Sequence, residues 1–129
     1  MATVADLITD ARTRVTHLTP TDVAAEVDAG DVLLVDLREP GELDASGILP
    51  GAVHAPRGML EFWADPASPY HRSEFDPDRR TVLYCASGGR SALAAAALQD
   101  LGYRDVAHLD GGITGWLDAG QPTVAPGTA

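Results

Sequence analysis

The chain of 129 residues has the length of one compact domain, and a second catalytic domain does not fit within it. Its formal net charge of −10 repels nucleic-acid phosphates and anionic lipid headgroups, so we expect neither a nucleic-acid nor a membrane partner. The sequence shows no secretory signal pattern and no segment long enough to span a bilayer. Cys85 is the single cysteine, and a lone thiol survives most simply in a reducing compartment, so the predicted location is the cytoplasm.

The N-terminal part of the chain predicts two helices and one buried strand. Apolar residues recur at helical spacing within residues 1–16, which predicts an amphipathic helix packed on the rest of the domain. Thr19 has the position of an N-cap, and we expect the helix after it to run to about Gly30. Val32–Val35 is a continuous apolar run, as expected of a parallel strand buried on both faces, and Asp36 lies where that strand ends.

The middle of the chain predicts loops joined by short elements. Residues 39–50 are rich in proline, glycine and acidic side chains, and predict a loop with one helical turn at Glu42–Ala45. A short strand is predicted at Ala52–Ala55 and a helix at Gly58–Ala64. Asp65–Asp78 predicts an ordered surface loop.

The C-terminal part predicts a strand followed by a helix, twice. These elements are the strand Thr81–Tyr84, the helix Arg90–Leu101, the strand Val106–Leu109 and the helix Ile113–Ala119. Strands alternating with helices predict an α/β domain over residues 17–120, with an open parallel sheet flanked by helices on both faces. The tail, residues 121–129, is expected to be frayed.

Cys85 is the candidate nucleophile, in the loop after a predicted strand. Ligands of an open parallel sheet bind beyond the carboxyl ends of the strands, and Cys85 lies at that place. The next backbone N–H groups can form a nest for an anion at the start of the following helix. These N–H groups belong to Ala86, Ser87, Gly88, Gly89 and Arg90. Arg90 adds a permanent charge suited to an oxyanion, so we expect this loop to bind an anionic substrate and to favour the thiolate of Cys85.

The segment Cys85-Ala86-Ser87-Gly88-Gly89-Arg90 resembles the C-x4-R active-site loop of the rhodanese family. Three further segments resemble family motifs: Asp36-Leu37-Arg38 followed by Glu42, Gly47-Ile48-Leu49-Pro50-Gly51-Ala52, and Leu109-Asp110-Gly111-Gly112 with Trp116. The resemblance covers roughly Leu18–Ala119 and implies a rhodanese-like fold. It implies Cys85 as the sulfur-carrying nucleophile, the loop amides around its persulfide, and Arg90 as a ligand of the anionic donor. Ile48 stands where the family often has histidine, so no histidine role is carried over there.

The expected reaction is sulfur transfer without a cofactor or metal. A thiolate that attacks the outer sulfur of thiosulfate expels sulfite, a leaving group that needs no general acid, and the loop offers none. The persulfide on Cys85 is then expected to pass its outer sulfur to cyanide or to a thiol, including a thiol of another protein. This predicts a ping-pong cycle.

The polar residues outside the loop have structural interpretations as well as catalytic ones. Asp36, Arg38 and Glu42 are predicted to fix a loop through ion pairs. Arg57 and Trp63 follow a predicted strand and are candidates for the rim of the pocket. Four histidines are scattered without ligand spacing, so no metal site is predicted: His17, His54, His71 and His108.

Two other functions stay open at this point. A cysteine phosphatase or arsenate reductase shares the order of strand, loop and helix, but its loop is C-x5-R and it needs an acid for the leaving oxygen. A rhodanese-like module that only binds proteins typically lacks the cysteine. The shorter loop and the presence of Cys85 and Arg90 favour the sulfurtransferase.

Overall fold

The computed structural model describes residues 1–127, which contain five strands and six α-helices. In chain order these elements are α1 (Val4–Arg14), β1 (Thr16–Leu18), α2 (Pro20–Ala29), β2 (Leu33–Asp36), α3 (Pro40–Ser46), β3 (Val53–His54), α4 (Leu60–Ala64), β4 (Thr81–Tyr84), α5 (Gly89–Asp100), β5 (Val106–Leu109) and α6 (Gly112–Asp118). One turn of 3-10 helix precedes α4. Within this range no helix is long and apolar enough to cross a bilayer.

The strands form one parallel sheet in the order β1-β5-β4-β2-β3. Side chains of α1, α4 and α5 pack on one face of the sheet, and those of α2 and α6 on the other. Within β4, Leu83 enters the first core and Tyr84 the second, because successive side chains of a strand point to opposite faces. The predicted open parallel sheet with helices on both faces is confirmed.

Local capping signals start the first two helices. The side chains of Thr3 and Thr19 accept hydrogen bonds from the backbone N–H of Asp6 and Asp22, and each aspartate accepts one from the cap residue in return. Helix α2 ends at Gly30, which has a left-handed φ of 88° that glycine adopts without steric cost. The start and the end predicted for this helix are therefore confirmed.

Two elements differ from the sequence-based prediction by more than one or two end residues. Thr16–Leu18 is a strand that pairs with β5 at the edge of the sheet, and three residues are too few for a periodic pattern to reveal. Helix α3 covers Pro40–Ser46, where only one turn was predicted. Pro40 suits the first turn of a helix, and the carboxylate of Glu42 accepts a hydrogen bond from the backbone N–H of Glu39 at 3.1 Å.

The C-terminal tail is bound to the domain over residues 121–124, so the prediction of a frayed tail was wrong for this part. Ile48 and Val124 exchange two backbone hydrogen bonds of 2.9 Å in an antiparallel bridge. The indole N–H of Trp116 donates to the carbonyl oxygen of Pro122 at 2.8 Å. Its terminal position alone predicts fraying, but the bridge partner Ile48 lies far away in sequence. Thr128 and Ala129 lie outside the described residues.

Candidate active site

Cys85 directly follows β4 at the carboxyl edge of the sheet, beside the end of β2. The chain passes from β2 to β3 on one side and then crosses to β4 on the other, so the strand order reverses here, where α/β folds form their ligand crevice. Cys85 is only 1% exposed, and its Sγ accepts a hydrogen bond from the backbone N–H of Gly88 at 3.1 Å. Gly88 has a φ of 111°, a left-handed conformation that turns the loop back toward the sulfur.

The N-terminus of α6 holds the Cys85 loop through two backbone hydrogen bonds. The backbone N–H of Ile113 donates to the carbonyl of Cys85 at 2.9 Å, and that of Thr114 donates to the carbonyl of Ala86 at 3.1 Å. Gly112 has a φ of 59°, and a Cβ there would lie 2.4 Å from the Ala86 oxygen. Gly112 therefore allows α6 to approach the loop backbone closely, a role that was not assigned from sequence.

Arg90 at the end of the loop forms a two-pronged ion pair with Glu42 of α3. Its Nη1 and Nη2 lie 2.8 and 2.9 Å from the two carboxylate oxygens. This contact lowers the pKa of Glu42 to about 2, against a smaller opposing effect of burial. The pKa of Arg90 is raised, mainly by Glu42 and to a smaller extent by Cys85. The contact with Glu42 thus holds Arg90 in place, with its permanent positive charge near the sulfur.

A buried ion pair places α3 so that Glu42 reaches Arg90. Asp36 at the end of β2 and Arg38 are 0% and 2% exposed, and their closest atoms are 2.9 Å apart. Arg38 also donates to Ser46 Oγ at 2.7 Å and to the carbonyl of Gly47 at 2.6 Å, at the C-terminal end of α3. Asp36 thus holds Arg38, Arg38 holds α3 through neutral acceptors that include the carbonyl of Glu42 at 3.2 Å, and the Glu42 carboxylate holds Arg90 of the active-site loop.

Arg57 and Trp63, the predicted rim residues, contact their own neighbours. Arg57 forms an ion pair of 2.6 Å with Glu61, one helical turn away. The guanidinium of Arg72 lies 3.5 Å from the ring centroid of Trp63, which also packs against the core. Within residues 1–127, no hydrogen bond or ion pair joins either side chain to the Cys85 loop. Their place at a pocket rim stays a prediction.

A buried polar chain next to Cys85 was not found from sequence. Ser91 Oγ lies 3.7 Å from Cys85 Sγ and 2.8 Å from Nδ1 of His108, and His108 Nε2 lies 2.7 Å from Nδ1 of His17. The sequence shows these two histidines without ligand spacing, yet the register of β1 and β5 places them directly opposite each other. The position of Ser91 immediately after Arg90 was the one local signal of this chain.

Ring nitrogens of His17 and His108 and a carboxylate oxygen of Asp110 lie within 4.8 Å of one another. These are groups that can bind a metal, but each already has a partner. The histidines are hydrogen-bonded to each other, and Asp110 binds Arg12 at 3.1 and 3.5 Å. The arrangement is thus explained by protein contacts, and the expectation of no metal site stays a prediction.

The comparisons with known proteins agree on one family. The family model of the rhodanese-like domain matches residues 19–119. A sulfurtransferase of Allochromatium vinosum is 43% identical over 99 residues, which cover 77% of this chain and 84% of that protein. The structure of a protein of unknown function from Rhodopseudomonas palustris, described as a possible tyrosine phosphatase, has a TM-score of 0.91 at 43% identity and 96% coverage of both chains.

A second solved structure has the same fold at lower identity. The polysulfide-sulfur transferase homodimer of Wolinella succinogenes has a TM-score of 0.75 at 28% identity, and the alignment covers 93% of this chain and 85% of that one. The family match contains the Cys85 loop, the Asp36–Arg38 ion pair and the α6 turn at Gly112. Sequence, fold and site agree, and the chain belongs to the rhodanese-like domain family.

Proposed function

We propose that this protein is a sulfurtransferase that moves sulfane sulfur from thiosulfate or a similar anionic donor to a thiol or cyanide through a persulfide on Cys85. The observation that carries the proposal is the surroundings of the sulfur. A single buried thiol receives the Gly88 N–H at 3.1 Å and lies near the braced cation Arg90. A hydrogen-bond donor and a cation beside the sulfur suit a residue that has to carry an anionic persulfide. The lone thiol suits a reducing compartment, so we retain the cytoplasm as the proposed location.

The first half-reaction needs only the nucleophile and an anion site. The Cys85 thiolate attacks the outer sulfur of thiosulfate, a new S–S bond forms, the old S–S bond breaks, and sulfite leaves with the electron pair. In the second half-reaction, an acceptor thiolate or cyanide attacks the outer sulfur of the persulfide. Cys85 then leaves as a thiolate, ready for the next donor.

Arg90 keeps free N–H groups that can bind the anionic substrate, although its guanidinium is paired with Glu42. A guanidinium has five N–H groups, and the carboxylate of Glu42 accepts from two of them. The others are available to the oxygens of thiosulfate. Because Arg90 is about a third exposed, an anion can approach it from solvent. The ion pair fixes the orientation of the guanidinium, which we propose as the role of Glu42.

Phosphate-ester hydrolysis is the second candidate, because the similar protein of Rhodopseudomonas palustris is described as a possible tyrosine phosphatase. That reaction needs a protonated acid for the leaving oxygen. Glu42 is the carboxyl group bound to the site through Arg90, and its pKa of about 2 keeps it ionised at neutral pH. The loop also has one residue fewer than a C-x5-R phosphatase loop. These features favour sulfur transfer.

Intact mass spectrometry after incubation with thiosulfate tests the proposal. We expect the parent protein to gain one sulfur atom and to lose it on addition of cyanide, with release of thiocyanate. The matched control is Cys85→Ser, which keeps the size of the side chain and removes the nucleophile, and which should show no gain. Polysulfide as a second donor and an aryl phosphate as a competing substrate complete the experiment. An unchanged mass with both sulfur donors, or phosphate hydrolysis that depends on Cys85, would contradict the assignment.

A further inference from the structure

A chain of hydrogen bonds leads from Cys85 to the protein surface. Cys85 Sγ contacts Ser91 Oγ at 3.7 Å, and Ser91 Oγ contacts His108 Nδ1 at 2.8 Å. His108 Nε2 contacts His17 Nδ1 at 2.7 Å, and His17 Nε2 contacts the carbonyl oxygen of Arg12 at 2.9 Å. Ser91 and His108 are fully buried, whereas His17 is exposed. The chain thus joins a buried thiol to a solvent-accessible imidazole.

The carbonyl at the outer end sets the direction of every bond in the chain. A carbonyl only accepts, so His17 carries a proton on Nε2, and a neutral His17 accepts at Nδ1 from His108. Burial, with a smaller effect of His17, lowers the pKa of His108 to about 4, so at neutral pH its ring has one proton, on Nε2. The Ser91 hydroxyl therefore donates to His108 Nδ1. Its lone pairs face the S–H of Cys85.

A proton added at Nδ1 of His17 reverses the whole chain. His17 then donates to His108, and His108 donates from Nδ1 to Ser91. The hydroxyl of Ser91 becomes free to donate to the sulfur of Cys85 or to the carbonyl of Gly88, which lies 3.2 Å away. The two states use the same heavy-atom contacts. They differ in whether Ser91 accepts the proton of a thiol or donates to a thiolate.

We propose that the Ser91–His108–His17 chain transfers the proton of the Cys85 thiol to His17 at the protein surface. The inference rests on the nucleophilic role of Cys85 in the proposed function. The S–H bond breaks as Ser91 takes the proton, Ser91 passes its own proton to His108 Nδ1, and His108 passes its Nε2 proton to His17 Nδ1. The products are a thiolate, to which the Ser91 hydroxyl now donates, and an imidazolium at the surface, whose retained positive charge stabilises that thiolate. No oxidation or reduction is involved.

Charged groups from the neighbouring elements face the two rings. Arg12 of α1 and Asp110 after β5 form an ion pair of 3.1 Å beside them, so their opposite effects on an imidazolium partly cancel. Cys85 after β4 is the titratable group at the inner end of the chain. A thiolate at the inner end of the chain and an imidazolium at its outer end therefore stabilise each other.

The rate at which iodoacetamide alkylates Cys85, measured as a function of pH, tests the chain in the full-length protein. In His17→Asn the amide oxygen still accepts from His108 but cannot take up a proton. We expect the midpoint of the pH profile to rise by about one to two pH units, the range that a hydrogen bond to a charged group provides. Ser91→Ala should raise it equally, and the double variant no further, because both changes interrupt the same chain.

The matched control is His71→Asn. Among residues 1–127, the His71 ring forms one hydrogen bond, from Nε2 to the carbonyl of Phe75, and it lies outside the chain. It should leave the midpoint unchanged. As a second readout, proton NMR of the His17 ring should show a lower titration midpoint once Cys85 is alkylated to a neutral thioether. The same spectra report the fold of each variant.

Two results would overturn the proton path: an alkylation midpoint of folded His17→Asn equal to that of the parent, or a His17 titration that does not respond to alkylation of Cys85. Sulfur loading from thiosulfate is measured on the same proteins. A parent protein that takes up no sulfur would overturn the proposed function, while the alkylation profiles would still decide the proton path. The two failures are therefore distinguishable.

Discussion

Substitution of Gly112 by alanine should damage the active-site loop, whereas the same change at Gly111 should not. Both glycines have a left-handed φ, 81° at Gly111 and 59° at Gly112. An added Cβ at Gly111 meets its nearest atom, the Cα of Gly115, at an ordinary 3.7 Å. At Gly112 it would lie 2.5 Å from the carbonyl oxygen of Cys85 and 2.4 Å from that of Ala86. Gly111→Ala is therefore a matched control for the backbone cost alone.

The expected magnitudes separate the two variants. The left-handed conformation costs alanine about 1–2 kcal/mol at either position. At Gly112 the clash is with carbonyls that accept hydrogen bonds from Ile113 and Thr114, so they cannot move freely, and overpacking of this kind adds about 1–3 kcal/mol. We expect Gly111→Ala to lose about 1–2 and Gly112→Ala about 2–5 kcal/mol of unfolding free energy in urea.

Sulfur loading from thiosulfate, measured where both variants are folded, completes this test. Gly111→Ala should take up sulfur like the parent, because its added Cβ makes only an ordinary van der Waals contact with Gly115. Gly112→Ala should load slowly or not at all, because relief of the clash displaces the Cys85 loop. Equal stability and equal loading of the two variants would refute the view that Gly112 is required for the approach of α6 to the loop.

Two further predictions concern the ion pairs that brace the site. Arg38→Met leaves the fully buried carboxylate of Asp36 without its partner, and should cost about 3–5 kcal/mol of unfolding free energy in urea; a loss below about 1 kcal/mol would contradict a structural role. Arg90 lowers the pKa of Glu42 from 4.5 to about 2, so the pair stabilises the folded state above about pH 4.5 and this stabilisation is lost as the pH falls toward 2. Because both side chains are more than a third exposed, we expect the pair to contribute only about 1 kcal/mol of unfolding free energy. Glu42→Gln should lose this contribution near pH 7 and match the stability of the parent near pH 2. A stability difference between the two proteins that does not depend on pH would exclude the linkage.

Local sequence patterns determined most of the fold. A continuous apolar run predicted β2, and short, mostly apolar segments predicted β4 and β5. Thr19 and Gly30 marked both ends of α2, because capping depends on neighbouring residues. The alternation of strands and helices then predicted a parallel sheet covered on both faces. The short edge strand β1 and the bound tail were missed. Both are held by partners far away in the sequence, which leave no local pattern.

The candidate site also has a part that the sequence predicted and a part that only the tertiary structure showed. The six residues from Cys85 to Arg90 are contiguous, so the nucleophile, its loop and the nearby charge could be predicted from sequence. That Glu42 holds Arg90, and that His17 lies against His108, depends on where α3 packs and on the register of β1 with β5. Sheet order and register follow from the packing of the whole core rather than from any single segment. Only the tertiary structure could therefore show which groups brace the loop and which ones connect its sulfur to the surface.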